Sequence, residues 1–308
     1  MSHSHGHVHV ADVDERSGDA RLLAAIVVNG LLTIVQVVGG MLSGSLSLIA
    51  DALHNFSDAG ALIIAWVARR IGRKPADGEQ TFGYRRAELV GALINATILN
   101  VIGLYLIYEA VMRMVTPSPV GGWIVVVVST IALIVDAITA LLTYAMTGRS
   151  LNMKAAFVHN IADAIGSVAV LMAGVLIVRY QWFFADVIAT FAIAGYVLHH
   201  GVAITRKASR ILTLGVPVGI CLPVLADALR AVDGVADVHH LHVWDLDESR
   251  RSFEGHVVVG QRDAQLAEQV KRQMRKVLER HGITHSTIEC EYGTVSDGCC
   301  AGEVVTPH

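Results

Sequence analysis

Two segments of this chain repeat one arrangement of polar residues inside otherwise apolar sequence. The segment "SGSLSLIADALHNFSDAGALIIAWVA" carries Asp51, His54, Asn55 and Asp58, and "AAFVHNIADAIGSVAVLMAGVLIV" carries His159, Asn160 and Asp163. Both contain His-x-x-x-Asp. On a helix, positions i, i+3, i+4 and i+7 share a face, so each segment presents one polar stripe. Together the stripes offer two imidazole nitrogens and two carboxylate oxygens. That N/O set suits tetrahedral Zn²⁺ and is tolerable for Co²⁺ or Cd²⁺; Mg²⁺ and Ca²⁺ want more oxygens and fewer imidazoles. Binding needs neutral imidazole and ionised carboxylate, so protons and metal compete for such a site. A single transmembrane histidine, or one His-x-x-x-Asp, reads as a hydrogen-bonding clamp between helices. Two copies on two apolar segments, where each ionisable group costs roughly 2.5–3.5 kcal/mol to insert, read as a metal site of His54, Asp58, His159 and Asp163.

Asp51 and Asp136, the latter in "LIVDAITALL", are further carboxylates with no basic partner evident in the apolar segments. Each either relays protons or stays neutral. Asn29, Gln36, Asn95 and Asn100 read as bonds between helices.

The elements that must hold these residues follow from composition. The 308 residues are 53% hydrophobic and only 17% charged, with a mean hydropathy of +0.53, which predicts a polytopic membrane protein. A spanning helix needs roughly 20 apolar residues. Six stretches qualify, at about 22–42, 46–68, 87–112, 121–147, 153–178 and 183–204. Lys and Arg set the orientation. Arg69, Arg70, Arg73, Lys74, Arg85 and Arg86 lie between the second and third stretches, Arg149 and Lys154 between the fourth and fifth, and Arg206, Lys207 and Arg210 after the sixth. The alternate loops hold Arg113 and Arg179. Both termini are therefore expected in the cytoplasm, and the second and fifth helices antiparallel. The first apolar run begins near Leu22 and reads as a span rather than a cleaved leader.

Four regions are expected: a His-containing tail at 1–20, a six-helix membrane domain at 21–205, a cytoplasmic domain at 206–293 and a Cys-containing tail at 294–308. The tail histidines His3, His5, His7 and His9 are weak metal candidates, since a flexible tail loses entropy on ordering. After Arg210 the pattern reads helix, strand, strand, helix, strand. An αββαβ order suggests a small α+β domain of ferredoxin-like character, whose modest core would make dimerisation unsurprising. Pro117 and Pro119 are expected to end the third helix, and Gly72, Pro75 and Gly78 to keep the basic link from forming one continuous helix. All four cysteines follow the sixth stretch, on the side where free or metal-binding thiols are expected rather than disulfides. The net charge of −3 and the lack of a basic nucleic-acid motif argue against nucleic acid as a partner.

On these residues the chain resembles the cation diffusion facilitator family, particularly its bacterial zinc-efflux and animal vesicular zinc-transporter branch. The resemblance runs over nearly the whole chain and rests on "GGMLSGSLSLIADALHNFSDAGAL", "TFGYRRAELVGALIN", "LNMKAAFVHNIADAIGS", "VHHLHVWDL" and "HSTIECEY". It implies a homodimer in the bacterial inner membrane that exports Zn²⁺ from the cytosol in exchange for protons, with no organic cofactor. It assigns the central metal to His54, Asp58, His159 and Asp163, as the spacing does. Some members hold another ion in the loop after the second helix, through an Asp and two His. Here Gln80 and Tyr84 stand at the histidine places, so that site is expected to be absent. In the cytoplasmic domain the resemblance points to a regulatory metal at the dimer interface, with His239, His256 and Glu291 as candidates and His285 nearby. Strand alternation would put His240 on the face opposite its neighbours. Cys299 and Cys300 are adjacent where related chains carry a spaced pair; they either capture a soft ion or belong to a disordered tail. Asp136 stands where the family often has Asn.

Two other classes compete. An intramembrane metal hydrolase would need an open metal position and a general base, as in His-Glu-x-x-His, and no such motif occurs. A membrane metal sensor would bind the ion and move none.

Overall fold

The computed structural model describes residues 28, 30–144, 151–260 and 262–292, with only the backbone of 142, 143 and 151–156. Asn29, the histidines of the 1–20 tail, and Cys299 and Cys300 in the 294–308 tail lie outside the described residues. The described helices are α1 (Gly30–Ser43), α2 (Leu46–Gly72), α3 (Arg86–Val115), α4 (Gly122–Tyr144), α5 (Leu151–Tyr180) and α6 (Phe184–Leu212). They are followed by α7 (Leu222–Arg230), β1 (Val235–Asp245), β2 (Arg251–Val259), α8 (Ala264–Arg280) and β3 (His285–Tyr292). The helices α2 to α6 are long and apolar enough to span a bilayer, and the described part of the first stretch is helical.

The ends of these helices have local causes. The third helix stops at Val115, before Pro117 and Pro119, and residues 73–85 form no helix. Helices α2 and α6 run several residues past their apolar stretches, to Gly72 and Leu212. Arg69 and Arg70 in the last turn of α2, and Arg210 in that of α6, complement the negative helix end there.

Two compact units share the chain. One comprises the described residues up to Ile64 with Ile94–Ala203; the other comprises Ala65–Leu93 with the described residues from Ile204 onward. In the first unit Leu48, Leu99, Leu106, Val125, Val170 and Ile177 form a buried cluster with Ile193 and Val197. Glycines permit the closest helix approaches. A Cβ on Gly174 would stand 2.9 Å from a Val125 methyl, and one on Gly103 2.6 Å from Leu198. Small residues at helix crossings are the usual packing device in lipid, where water supplies no driving force between apolar faces.

The α1–α2 corner is built around a carboxylate that the sequence reading passed over. Asp186, in the first turn of α6, is 0% exposed. It accepts hydrogen bonds from Ser45 Oγ (2.5 Å), Ser47 Oγ (2.6 Å) and the backbone N–H groups of Leu46 (2.8 Å) and Ser47 (3.2 Å). Ser45 Oγ also accepts from the N–H of Leu48 at 3.1 Å, as an N-cap does. Three of the unpaired donors at the start of α2 are thus satisfied, two of them by a charge placed at the positive helix end. Arg113 of α3 lies 3.5 Å from Asp186 and donates to the carbonyl of Gly44, which itself sits at φ 68°.

In the second unit, β1 pairs antiparallel with β2, and β3 pairs parallel with β2 on its other side. A parallel neighbour requires a crossover, and α8 supplies it. The helix starts on Asp263, whose side chain accepts from the N–H of Gln265 at 2.8 Å. It ends where Gly282 takes φ 75° and the N–H of Ile283 returns to the carbonyl of Leu278. Leu225, Leu229, Leu241, Phe253, Val257, Val270, Met274 and Leu278 form the core between helices and sheet. The α2–α3 loop belongs to this unit. Arg86 Nε donates to the carbonyl of Leu246 at 3.0 Å, and Phe82 packs edge-on against the ring of His285 at 5.8 Å.

Asp186→Ala would leave four donors and the Arg113 guanidinium without this acceptor. Breaking a buried charged pair costs about 3–5 kcal/mol. A large drop in the thermal unfolding midpoint of the purified protein in detergent is expected, with Asp186→Asn intermediate. An unchanged midpoint for Asp186→Ala would show that the corner does not carry the stability assigned to it.

Candidate metal centre

The stripe on α2 and the stripe on α5 face each other in the first unit. His159 Nε2 lies 3.2 Å from Asp58 Oδ2, and His54 Nε2 lies 3.4 Å from Asp163 Oδ1. Within each helix the corresponding separations are longer, 3.7 Å for His54–Asp58 and 3.5 Å for His159–Asp163. Each histidine is therefore nearest the carboxylate of the other helix, which is how two His-x-x-x-Asp turns meet when their helices run antiparallel. Ligand atoms of His54, Asp58 and Asp163 all lie within 4.8 Å of one another. Both nitrogens of His54, Asp58 Oδ2 and Asp163 Oδ1 are buried and make no hydrogen bond among the described residues; the His159 side chain is 45% exposed. Buried polar atoms are nearly always satisfied, so donors that converge without bonding one another suit an ion placed between them. Two carboxylates there would also neutralise a divalent charge.

The other polar residues of the stripe are held by a neighbouring helix. Gln36 of α1, 0% exposed, donates to Asp51 Oδ2 at 2.6 Å and accepts from Asn55 Nδ2 at 3.0 Å. One amide thereby fixes two residues of α2 on either side of His54. Gly166 of α5 leaves room for Asp51, since a Cβ there would stand 3.4 Å from Asp51 Oδ1. Asp136 of α4 is also buried and accepts from Ser167 Oγ at 2.7 Å. Ser167 lies one turn beyond Asp163 on α5. Asp51 and Asp136 thus sit beside the centre, each with a hydrogen-bonding partner on another helix.

Residues outside the sequence reading join this neighbourhood. Tyr196 of α6 presents its ring edge-on to His54 at 5.9 Å and lies 4.6 Å from the tilted ring of His200. The signal was available in "GYVLHH", where Tyr196, His199 and His200 fall at i, i+3 and i+4. Neither histidine sits in a His-x-x-x-Asp pattern, so the motif that marks α2 and α5 does not reach α6.

A second cluster lies on the sheet of the second unit. His239 and His256 are register partners on β1 and β2, with ring centroids 5.5 Å apart. His256 Nδ1 lies 2.7 Å from Glu291 Oε1, and His239 Nε2 lies 3.5 Å from Glu291 Oε2. These three offer ligand atoms within 4.8 Å of one another. His239 is 3% exposed, and its Nδ1 makes no hydrogen bond among the described residues. His285 stands apart from this cluster. It opens β3, opposite Ser252, and six residues of extended strand separate it from Glu291 by about 20 Å; its ring packs on Phe82 instead.

Alternation fails at His240. The register of β1 slips between His239 and His242, and His240 takes φ 52°. That is a β-bulge with its first residue in the left-handed region usually given to glycine. The extra residue breaks the two-residue period, and the His240 ring lies 5.0 Å from that of His256 and 4.8 Å from that of His242. The expected opposite-face position is thus corrected, for a reason that alternation alone does not contain.

In the α2–α3 loop Asp77 is engaged by the loop itself. It accepts from the Tyr84 hydroxyl at 2.7 Å and from the backbone N–H groups of Gln80 at 2.8 Å and Glu79 at 2.9 Å. These bonds, the Tyr84 bond foremost, hold its carboxyl below the usual carboxylate range.

Residues 22–213 match the cation efflux transmembrane domain family, and residues 222–292 match the family of cation efflux protein cytoplasmic domains. The chain is 34% identical over 276 residues to the cadmium, cobalt and zinc/H(+)-K(+) antiporter of Bacillus subtilis (strain 168), covering 88% of each chain. It is 33% identical to the metal cation efflux system protein CzcD of Cupriavidus metallidurans, over 93% of this chain and 90% of the relative. It is 32% identical to the zinc transporter ZitB of Escherichia coli (strain K12), over 100% of this chain and 98% of the relative. With both domains matched in order, and relatives aligned over nearly its full length, the chain belongs to the cation efflux, or cation diffusion facilitator, family of multi-pass membrane transporters.

Proposed function

We propose that this chain exports Zn²⁺ from the cytosol across the bacterial inner membrane in exchange for protons, through a site formed by His54, Asp58, His159 and Asp163. The observation that carries this reading is the convergence of the buried His54, Asp58 and Asp163 ligand atoms, unbonded among the described residues, with the more exposed His159 Nε2 3.2 Å from Asp58 and 3.5 Å from Asp163. Two imidazoles and two carboxylates are a Zn²⁺ set, and Co²⁺ and Cd²⁺ accept the same ligands. The names of the relatives agree with that range, from zinc alone to cadmium, cobalt and zinc. In this reading residues 21–205 form the membrane domain and residues 206–293 a dimerising cytoplasmic domain, with both termini in the cytosol.

Transport starts with the site open to the cytosol. The four ligands strip Zn²⁺ of water and enclose it, and the helix bundle then rocks to open on the far side. Protons entering there compete for the ligands and expel the ion. The site returns protonated, and it releases its protons to the cytosol before the next ion binds. Asp51 and Asp136, hydrogen-bonded beside the centre, are the groups placed to pass those protons. In the cytoplasmic domain, His239, His256 and Glu291 hold a regulatory Zn²⁺ that favours the dimer arrangement permitting this motion.

A metal sensor would bind the same ion without moving it, so flux decides between them. Purified protein in sealed proteoliposomes is expected to move Zn²⁺ when a pH gradient is imposed. Asp163→Ala should reduce that flux by at least about 100-fold, since even an outer-shell partner costs about 10–100-fold in metal affinity or activity. Tight zinc binding with no flux in the wild type would sink the antiporter and favour the sensor.

The cytoplasmic metal has its own test. His239→Ala with His256→Ala should remove one class of Zn²⁺ site in calorimetric titration of the full chain and weaken zinc-dependent dimerisation. Unchanged stoichiometry in that double variant would overturn the regulatory site while leaving the membrane site standing.

A further inference from the structure

A cavity of ≈ 650 Å³ lies in the second unit, walled by the last turn of α2, the loop after it and the β1–β2 turn. Its cationic lining is Arg69, Arg73, Lys74, Arg85 and Arg250, against the carboxylates of Glu88, Asp247 and Glu248. Most of the carboxylate charge is already used. Asp247 binds Arg250 at 2.6 Å and also accepts from Ser249, and Glu248 binds Lys207 at 3.1 Å. Lys74 sits 5.6 Å over the ring of Tyr84. Arg69, Arg73 and Arg85 form no ion pair among the described residues. Three guanidinium groups with a single remaining carboxylate, Glu88, leave the cavity with an excess of positive charge.

The position of the cavity along α2 decides what fills it. Leu62 and Ile63 are exposed apolar residues, and Trp66 is 62% exposed with the Arg70 guanidinium 5.6 Å over its ring. An exposed tryptophan capped by arginine at the end of an apolar span marks the membrane–water interface. At 1.5 Å per residue, Arg69 and Arg73 lie about 5 and 10 Å beyond Trp66 along the axis. The polar headgroup layer is about 5–8 Å thick on each side of the hydrocarbon core. By this measure Arg69 falls within the headgroup layer and Arg73 just beyond its outer edge, where a long guanidinium side chain still reaches lipid phosphates, and Arg85 lines the same cavity. Their forked N–H groups match phosphate oxygens in a way an ammonium does not, and the exposed ring of Phe82 in the cavity wall offers apolar surface beside them.

We propose that the cavity bounded by Arg69, Arg73 and Arg85 is a binding site for the phosphate group of an anionic phospholipid. A lipid held there would touch the end of the helix that carries His54 and Asp58. It would also touch the β1–β2 turn through the Arg250–Asp247 wall.

The test uses the full chain in detergent, titrated with phosphatidylglycerol or phosphatidylcholine and read by native mass spectrometry. Inorganic phosphate is added in a parallel series as a competitor. Wild type is expected to retain phosphatidylglycerol over phosphatidylcholine, and the Arg69→Gln, Arg73→Gln, Arg85→Gln triple variant to lose about tenfold or more of that retention. Arg206→Gln, which removes an exposed charge outside the cavity, should leave retention unchanged, and the matching triple Lys variant should fall between. Equal retention of the two lipids by wild type would overturn the proposal. So would a triple Gln variant, still monodisperse, that binds phosphatidylglycerol as wild type does. Displacement of the lipid by millimolar phosphate would assign the cavity to free anions and overturn the lipid assignment.

Discussion

Burying ionisable groups within membrane-spanning helices is the constraint on which this protein turns. An isolated charge in hydrocarbon costs several kcal/mol, so every carboxylate on these helices must find donors, a counter-charge or an ion. Asp186 finds hydroxyls, backbone N–H groups and Arg113. Asp51 finds Gln36, and Asp136 finds Ser167. Among the described residues Asp58 and Asp163 pair with the histidines of the two turns, and Asp58 Oδ2 and Asp163 Oδ1 make no hydrogen bond there. The carboxylates thus divide into those already satisfied by the protein and those whose satisfaction waits for something else. That division is the physical basis for the proposed metal position between α2 and α5.

The satisfied carboxylates hold the unsatisfied ones in place. Asp186 caps the first turn of α2, and Gln36 grips Asp51 and Asn55, on either side of His54. A ligand residue is useful only if its own helix is positioned to a fraction of an ångström, and these bonds supply that positioning from α1 and α6. Helix α5 is positioned differently. Gly174 admits the valines of α4, and Gly166 admits Asp51. Polar bonding thus dominates on α2, while α5 combines close packing with the Ser167–Asp136 hydrogen bond.

In the second unit the sheet plays the same part for His239, His256 and Glu291. Neighbouring strands set histidines opposite one another, while the parallel placement of β3 carries Glu291 to the same end of β2. The bulge at His240 concentrates imidazoles there. Gly255, which pairs across the bulge, has no room for a side chain; a Cβ would stand 2.6 Å from Leu241. A non-glycine residue at positive φ persists where its surroundings over-determine it, and here they include the histidine cluster itself.

Much of this protein is legible in its sequence, because apolar length, loop charge and the His-x-x-x-Asp repeat are local patterns that survive without coordinates. Those patterns suffice for the apolar helices, the αββαβ order and the four residues proposed as ligands, and helical periodicity alone puts each pair on one face. Other features depend on which helices touch. Nothing in the composition of α6 announces that Asp186 would cap α2, because its partners lie some 140 residues away in the chain. Nothing in "GYVLHH" says that Tyr196 would meet His54. His285 and Glu291 look equivalent as neighbours on one short strand, and only strand length and direction set them about 20 Å apart. His240 changes face because one extra residue enters β1, a register decision made by pairing with β2 rather than by β1 itself. Periodicity is a property of a single element and can be read from it; capping across helices, register and bulges are properties of pairs of elements, and only the folded chain decides them.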